Sequence, residues 1–226
     1  MNTSDLTNSS ATYNPPDNLG LDVIYSDQYF LVVSKPSGLL SVPGRGEDKT
    51  DSMVTRVQAE FADALVAHRL DRDTSGLLIF PLGANMHRQI SMMFEQREME
   101  KSYVAVVMGK LQPADGEVDL PLIVDWPNRP RHMVDKVNGK PSQTRFQVLS
   151  YDAASNTSRV RLEPITGRTH QLRVHMQALG HSILGDTLYA HAGDTPAPRL
   201  LLHAHTLDFN HPVTGKKLAL ISPIPF

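Results

Sequence analysis

The chain has 226 residues and carries 22 Lys+Arg against 24 Asp+Glu, a formal net charge of −2. That length fits one large domain or two small ones with a substantial buried core, and a composition 40% hydrophobic and 20% charged excludes wholesale disorder. With no cysteine, a disulfide scaffold, a thiolate metal site and a cysteine nucleophile are excluded together.

Residues 1–20 are polar, with Asn, Ser, Thr and a Pro15-Pro16 pair, and read as a disordered or loosely attached tail ahead of a single domain over 21–226. The tail has neither the basic n-region nor the apolar h-region of a secretory signal. No apolar stretch approaches the ~18 residues that span a bilayer. The expectation is a cytoplasmic protein with no membrane partner. The run 29–33 (YFLVV) predicts a strand, ended by a turn at Lys35-Pro36-Ser37-Gly38. Thr50 or Asp51 is positioned to cap a helix reaching Phe61. LLIF at 77–80 predicts a buried strand. Met86, Ile90, Met93, Phe94 and Arg97 share one face of a predicted helix over 86–98. Strands follow at 103–108, 144–150 and 158–163. A helix over 169–179 has Gly180 placed just past its end. The segments 200–209 and 218–222 flank Pro212-Val213-Thr214-Gly215 and predict a closing hairpin. Strands often follow one another directly. That favours an α+β fold with a mixed, mostly antiparallel central sheet flanked by helices and loops.

The charge is uneven. Residues 129–173 hold nine Lys/Arg and three Asp/Glu, whereas residues 1–30 hold four Asp and no Lys or Arg. A basic middle inside a neutral chain permits a local phosphate-binding face. Common catalytic signatures are missing: there is no G-x-S-x-G elbow and no P-loop. Gly44-Arg45-Gly46 lacks the third glycine of a dinucleotide fingerprint and reads as a surface turn, so no nucleotide cofactor is expected. Among ten histidines, His170 and His175 are five apart and share no helix face, and His203 and His205 suit one face of a strand. With no cysteine and no His-Glu-x-x-His, no metal site is expected.

Two segments concentrate polar groups. His68-Arg69-Leu70-Asp71-Arg72-Asp73-Thr74-Ser75-Gly76 packs two Arg and two Asp into a turn before an apolar strand. On composition alone it reads as a salt-bridged loop with Gly76 supplying a turn; a two-carboxylate hydrolase site on Asp71 and Asp73 has no substrate-binding signal to support it. Gly167-Arg168-Thr169-His170-Gln171-Leu172-Arg173-Val174-His175 leads into the last predicted helix. Cations sit poorly at a helix N-terminus, which hints that function placed them there.

Together these segments carry a resemblance. HRLDRDTSGLLIF resembles the HRLD-x-x-TSG motif of the RluA-type pseudouridine synthases, and ITGRTHQLRVHMQALGHSILGDTLY is similar to that family's second signature. Lys35-Pro36-Ser37-Gly38, Lys101-Ser102-Tyr103-Val104-Ala105 and Leu201-Leu202-His203-Ala204 fit three further elements in family order, covering roughly residues 20–225. The stretch 118–128 (VDLPLIVDWPN) resembles the dual-specificity subtype, and the length leaves no room for the S4 RNA-binding domain of several relatives.

The resemblance implies isomerisation of uridine to pseudouridine in structured RNA, needing no cofactor, by a monomer. The dual-specificity subtype is associated with a 23S ribosomal RNA hairpin and the anticodon stem-loop of certain tRNAs. Asp71 matches the family's catalytic aspartate, Arg168 the arginine that pairs with it, and Tyr103 the active-site tyrosine. Arg69 matches the arginine that fills the space left by a flipped base. Arg129, Arg131, Lys136 and Arg145 suit phosphate contacts, and Leu172 and Leu202 suit walls around the base, although core packing explains both leucines equally well. The alternative is a non-catalytic RNA-binding protein on the same fold; a binding module has no use for Asp71, Tyr103 and an arginine partner together.

Overall fold

The computed structural model describes residues 13–226. Residues 1–12 of the expected tail lie outside the described residues. From Tyr13 onward the chain is anchored: Tyr13 is buried, its hydroxyl donates to the Asp51 carbonyl at 3.0 Å, and it accepts the Leu40 amide at 3.0 Å.

The order is β1 (Val23–Ser26), β2 (Phe30–Lys35), α1 (Met53–Gln58), β3 (Ser75–Pro81), α2 (Gly83–Glu95) and β4 (Glu100–Met108). Then come β5 (Asp115–Asp119), β6 (Leu122–Val124), β7 (His132–Val134), β8 (Gln143–Asp152), β9 (Thr157–Pro164), α3 (Gln171–Ala178), β10 (Leu202–Asn210) and β11 (Lys217–Ile221). Eight strands run β1-β2-β3-β10-β4-β9-β8-β5 across one sheet, β11 pairs with β10, and β6–β7 form a separate hairpin. The pairs are antiparallel apart from β3 with β10, which run parallel for only His203↔Ser75 and Ala204↔Gly76.

This short parallel junction divides the sheet. On one side, β2 and β3 are apolar on both faces. Phe30, Val32, Leu77 and Ile79 pack with Met86 and Ile90 of α2, while Leu31, Val33, Leu78 and Phe80 pack with Val54 and Val57 of α1. A strand covered on both faces reads as a continuous apolar run, which is why LLIF shows no alternation. On the other side, Val160 and Leu162 of β9 pack with Leu172 and Met176 of α3 and with Leu202.

Local chemistry sets the helix ends. Ser52, rather than Thr50 or Asp51, caps α1: its hydroxyl accepts the Thr55 amide, and Thr55 returns a contact to the Ser52 amide. Asp51 instead pairs with Arg56 at 2.7 Å. Helix α2 begins three residues before the expected Met86 and ends at Glu95, which leaves Arg97 outside it with φ 61°. Gly180, with φ 83°, follows α3 as expected.

Candidate active site

The loop from His68 to Thr74 enters β3 at the junction. Gly76, at φ 108°, is where β3 and β10 come closest: a Cβ there would sit 2.2 Å from the Ala204 carbonyl oxygen. Only glycine accepts both that φ and that approach. The preceding turn ties the loop down from below. Lys35, fully buried, donates its ammonium to the carbonyls of Pro36, Leu39 and Arg72 at 2.8, 2.7 and 2.9 Å. Burial pulls that amine down to about 7, opposed by Asp73 and Asp71. Ser37 donates to the Asp73 carbonyl at 2.6 Å, and Ser41 to the Leu70 carbonyl at 2.7 Å. Asp71 is thus carried on a loop whose backbone oxygens are gripped by Lys35, Ser37 and Ser41.

Asp71 opens onto a cavity of about 310 Å³, at the small end for ligand pockets. His68, Arg69, Lys101, Tyr103, Arg168, His170, Leu172, Arg173 and Leu202 are among its lining residues. Tyr103 lies on β4, paired across to Ala204 and Leu162. Its hydroxyl makes no hydrogen bond among the described residues, and burial pushes its pKa up, with the Asp71 charge adding to the rise. It therefore stays a neutral phenol. Leu172 and Leu202 are both buried in the wall. A larger cavity of about 810 Å³ lies on the other side of the loop, against Arg72, Asp73 and Ser75. It contains neither Asp71 nor Tyr103, so size is a poor guide to the chemistry here.

The arginine beside Asp71 is Arg173, not Arg168. Arg173 Nη1 is 3.2 Å from Asp71 Oδ2. Its Nε and Nη2 make a bidentate pair with Asp186 at 2.7 and 2.8 Å, and its guanidinium lies 5.1 Å from the centre of the Tyr189 ring. Asp186 is held in turn by the Leu188 and Tyr189 amides. Both the Arg173 and Asp186 side chains are out of solvent. The two carboxylates raise the Arg173 pKa over the opposing pull of burial. Arg168 precedes α3 on an exposed loop, where its Nε donates to the Pro141 carbonyl at 3.2 Å. The physical reason is helix placement. All of 171–176 is buried, so a side chain inside the first turn of α3 reaches the carboxylate and one on the approach loop does not.

The predicted RNA contacts divide. Arg69 is exposed and lines the cavity. Arg129 is exposed and stacks over Trp126, 4.5 Å from its ring centre, at the tip of the β6–β7 hairpin. Arg131 lies over Tyr189 at 5.5 Å, and Lys136 is exposed just past β7. Arg145 stands apart from this group: on β8 it pairs with Glu117 of β5 at 3.2 Å and lines a separate cleft.

Sequence reasoning missed Arg173, His170, Lys101, Asp186 and Tyr189 as site residues. An Arg on a helix predicted to have a single apolar face reads as solvated. The clue was the pairing of that Arg with an aspartate thirteen residues on, in a segment already singled out for resemblance. Among the described residues no helix is long and apolar enough to cross a membrane, and no cluster of His, Asp and Glu is arranged to hold a metal.

A family model described as RNA pseudouridylate synthase matches residues 29–178. The chain is 52% identical over 215 residues to the "Dual-specificity RNA pseudouridine synthase RluA" of Escherichia coli (strain K12), covering 95% of this chain and 98% of that protein. It is 49% identical over 207 residues to the protein of the same name from Haemophilus influenzae, covering 91% and 94%. Among solved structures it resembles "Human RNA Pseudouridylate Synthase Domain Containing 1", with TM-score 0.78, 29% identity and coverage of 94% of this chain and 87% of that one. The central sheet and its connections are therefore those of a pseudouridine synthase. Agreement over this much of the chain, at this identity, makes the protein a member of the RNA pseudouridine synthase family, an isomerase acting on RNA.

Proposed function

We propose that this enzyme converts particular uridines in both a 23S ribosomal RNA hairpin and a tRNA anticodon stem-loop, acting in the cytoplasm as a monomer. The observation that carries the catalytic reading is the Asp71 carboxylate. It is paired with a buried guanidinium and faces a cavity shared with Tyr103, whose hydroxyl has no hydrogen-bond partner among the described residues. In the reaction the N1–C1′ bond breaks, the uracil turns, C5 bonds to C1′, and the C5 proton moves to a nitrogen of the ring, so atoms balance within one nucleotide. Asp71 acts while ionised, as nucleophile or as base. Arg173 sets a permanent positive charge beside that carboxylate through Nη1, while its Nε and Nη2 are fixed on Asp186.

A uridine stacked in a stem-loop is out of reach of a recessed carboxylate. It must be flipped out, at a cost of roughly a few kcal/mol. Arg69, exposed at the cavity mouth, is placed to stack in the space the base leaves. Tyr103 offers a ring face to uracil and a phenol toward the departing C5 proton, while Leu172 and Leu202 close the sides. Arg129, Arg131 and Lys136 follow the phosphates, and Arg168 joins them at the rim. Arg145, already paired with Glu117, is left out of this set. The double substrate rests on the name shared by the relatives of high identity.

Mapping pseudouridine in ribosomal and transfer RNA from cells with and without this protein tests the reading. Loss of one 23S site and of an anticodon-arm site together is the expected result. Loss from only one RNA class would overturn the double specificity.

A further inference from the structure

His170 has an uncommon backbone conformation. It occupies the left-handed region, at φ 57° and ψ 14°, immediately before α3. Residues with a side chain are uncommon there, Asn, Asp and His being the usual exceptions, and such positions collect at working sites. Its side chain is one-tenth exposed and lies between Tyr189 and Asp71.

The hydrogen bonds fix which ring nitrogen carries the proton. The Tyr189 oxygen accepts the His132 backbone N–H at 2.7 Å. The other partner of that hydroxyl among the described residues is His170 Nδ1, at 2.8 Å. Tyr189 is 1% exposed, so its O–H needs an acceptor within the protein. Nδ1 is that acceptor, and an accepting Nδ1 leaves the proton of the neutral ring on Nε2. Burial, aided by Arg173 and His132, holds the imidazole down to about 4 against the opposite pull of Asp71 and Asp186. The ring is therefore neutral at pH 7, and its Nε2–H faces Asp71.

His170 Nε2 lies 3.8 Å from Asp71 Oδ2, the same oxygen that Arg173 Nη1 reaches at 3.2 Å. Asp71 Oδ1 accepts no hydrogen bond among the described residues. We propose that His170, locked by Tyr189 as the Nε2–H tautomer, is a positioning donor that closes onto Oδ2 of Asp71 when RNA fills the cavity, so that Oδ1 is the oxygen presented to the uridine. Two donors on one oxygen stop the carboxylate from rotating about its χ2 bond, a torsion that is otherwise soft. The role deepens the reading of Asp71 as the reacting carboxylate and rests on it.

Side-chain reach and backbone preference make opposite predictions, and that separates positioning from fold. Among residues with a side chain, Asn is the one most at ease at this φ, but its amide reaches only the Nδ1 position. Gln is less at ease there, yet its amide nitrogen reaches the Nε2 position. In single-turnover assays on a stem-loop RNA, His170→Asn is expected to lower the rate constant at saturating enzyme by about tenfold to a hundredfold, the range for one hydrogen bond to a charged group. RNA affinity and melting temperature should hold. His170→Gln should recover a large part of that rate, and Tyr189→Phe, which frees the tautomer, should lower the same rate constant with RNA affinity unchanged. Nitrogen-15 NMR of the histidine rings in the full chain at pH 7 should show His170 neutral with its proton on Nε2. Full speed in His170→Asn, a slower His170→Gln than His170→Asn, or a ring protonated on Nδ1 would overturn the inference. Turnover by Asp71→Asn would instead overturn the catalytic reading beneath it.

Discussion

Arg168 and Arg173 lie in one short basic segment, yet only the second is built into the protein. Arg173 joins two carboxylates, one of them sealed in the core, and its removal leaves Asp186 as a buried charge with no cation. Arg173→Met should therefore cost about 3–5 kcal/mol of stability and abolish turnover. Arg168→Ala, at an exposed position bonded to one carbonyl, should change stability by less than about 0.5 kcal/mol and weaken RNA binding. Urea melts and single-turnover rates on both variants check this; equal destabilisation would contradict the assignment. Asp71 and Tyr103 were legible in the sequence through ordered motifs, and the structure sets them at one cavity. The identity of the arginine was not legible. Motif position places both arginines near the aspartate, and only the start of α3 decides which one points inward. Tyr189 was hidden for a similar reason. It sits in a loop nineteen residues beyond His170, joined to it only by the fold.

At the scale of elements, the short parallel contact between β3 and β10 holds the site. Asp71 approaches it from one side, and Tyr103 and Leu202 from the other. Gly76→Ala drives a methyl into the Ala204 backbone at a positive φ. The backbone alone should cost about 1–3 kcal/mol, and the two halves of the sheet must separate to admit the group. Activity should fall more than stability, because Asp71 and Tyr103 lie on opposite sides of the gap. A variant with normal turnover in the same RNA assay would show that the junction does not set their spacing. The interior strands and both longer helices were legible, since β3 is apolar on two faces and α2 shows a helical stripe. Strand β1 (VIYS) and strand β5 (DGEVD) were not. They are edge strands with at most one buried residue, so neither alternation nor an apolar run marks them. The β6–β7 hairpin was concealed by the Trp126-Pro127-Asn128 turn between two three-residue strands.

Across the whole molecule, burial favours the neutral form of four imidazoles, those of His68, His170, His175 and His203. Burial lowers His68 to about 3, and His170 and His203 to about 4, from 6.5. Between pH 6.5 and those values the unfolded chain binds more protons than the folded one, so stability falls as the pH drops through that window. Each histidine adds a slope approaching about 1.4 kcal/mol per pH unit. Urea midpoints measured from pH 7.5 to pH 5 should decline steadily, and a flat profile would show that these rings are charged in the folded protein. The overall net charge of −2 gave little warning of an RNA enzyme. The basic residues 129–173 did, but part of that excess is paired within the chain, in the core on Asp186 by Arg173 and at the surface on Glu117 by Arg145. What remains for the proposed RNA contacts is the group around the cavity mouth and the hairpin tip. The central claim is that the Asp71 carboxylate, held by Arg173, performs the isomerisation. Its most direct test is a single-turnover assay of Asp71→Asn on a stem-loop RNA, with RNA affinity measured on the same preparation. No detectable pseudouridine with binding retained is the expected result; turnover near the wild-type rate would remove Asp71 from the chemistry.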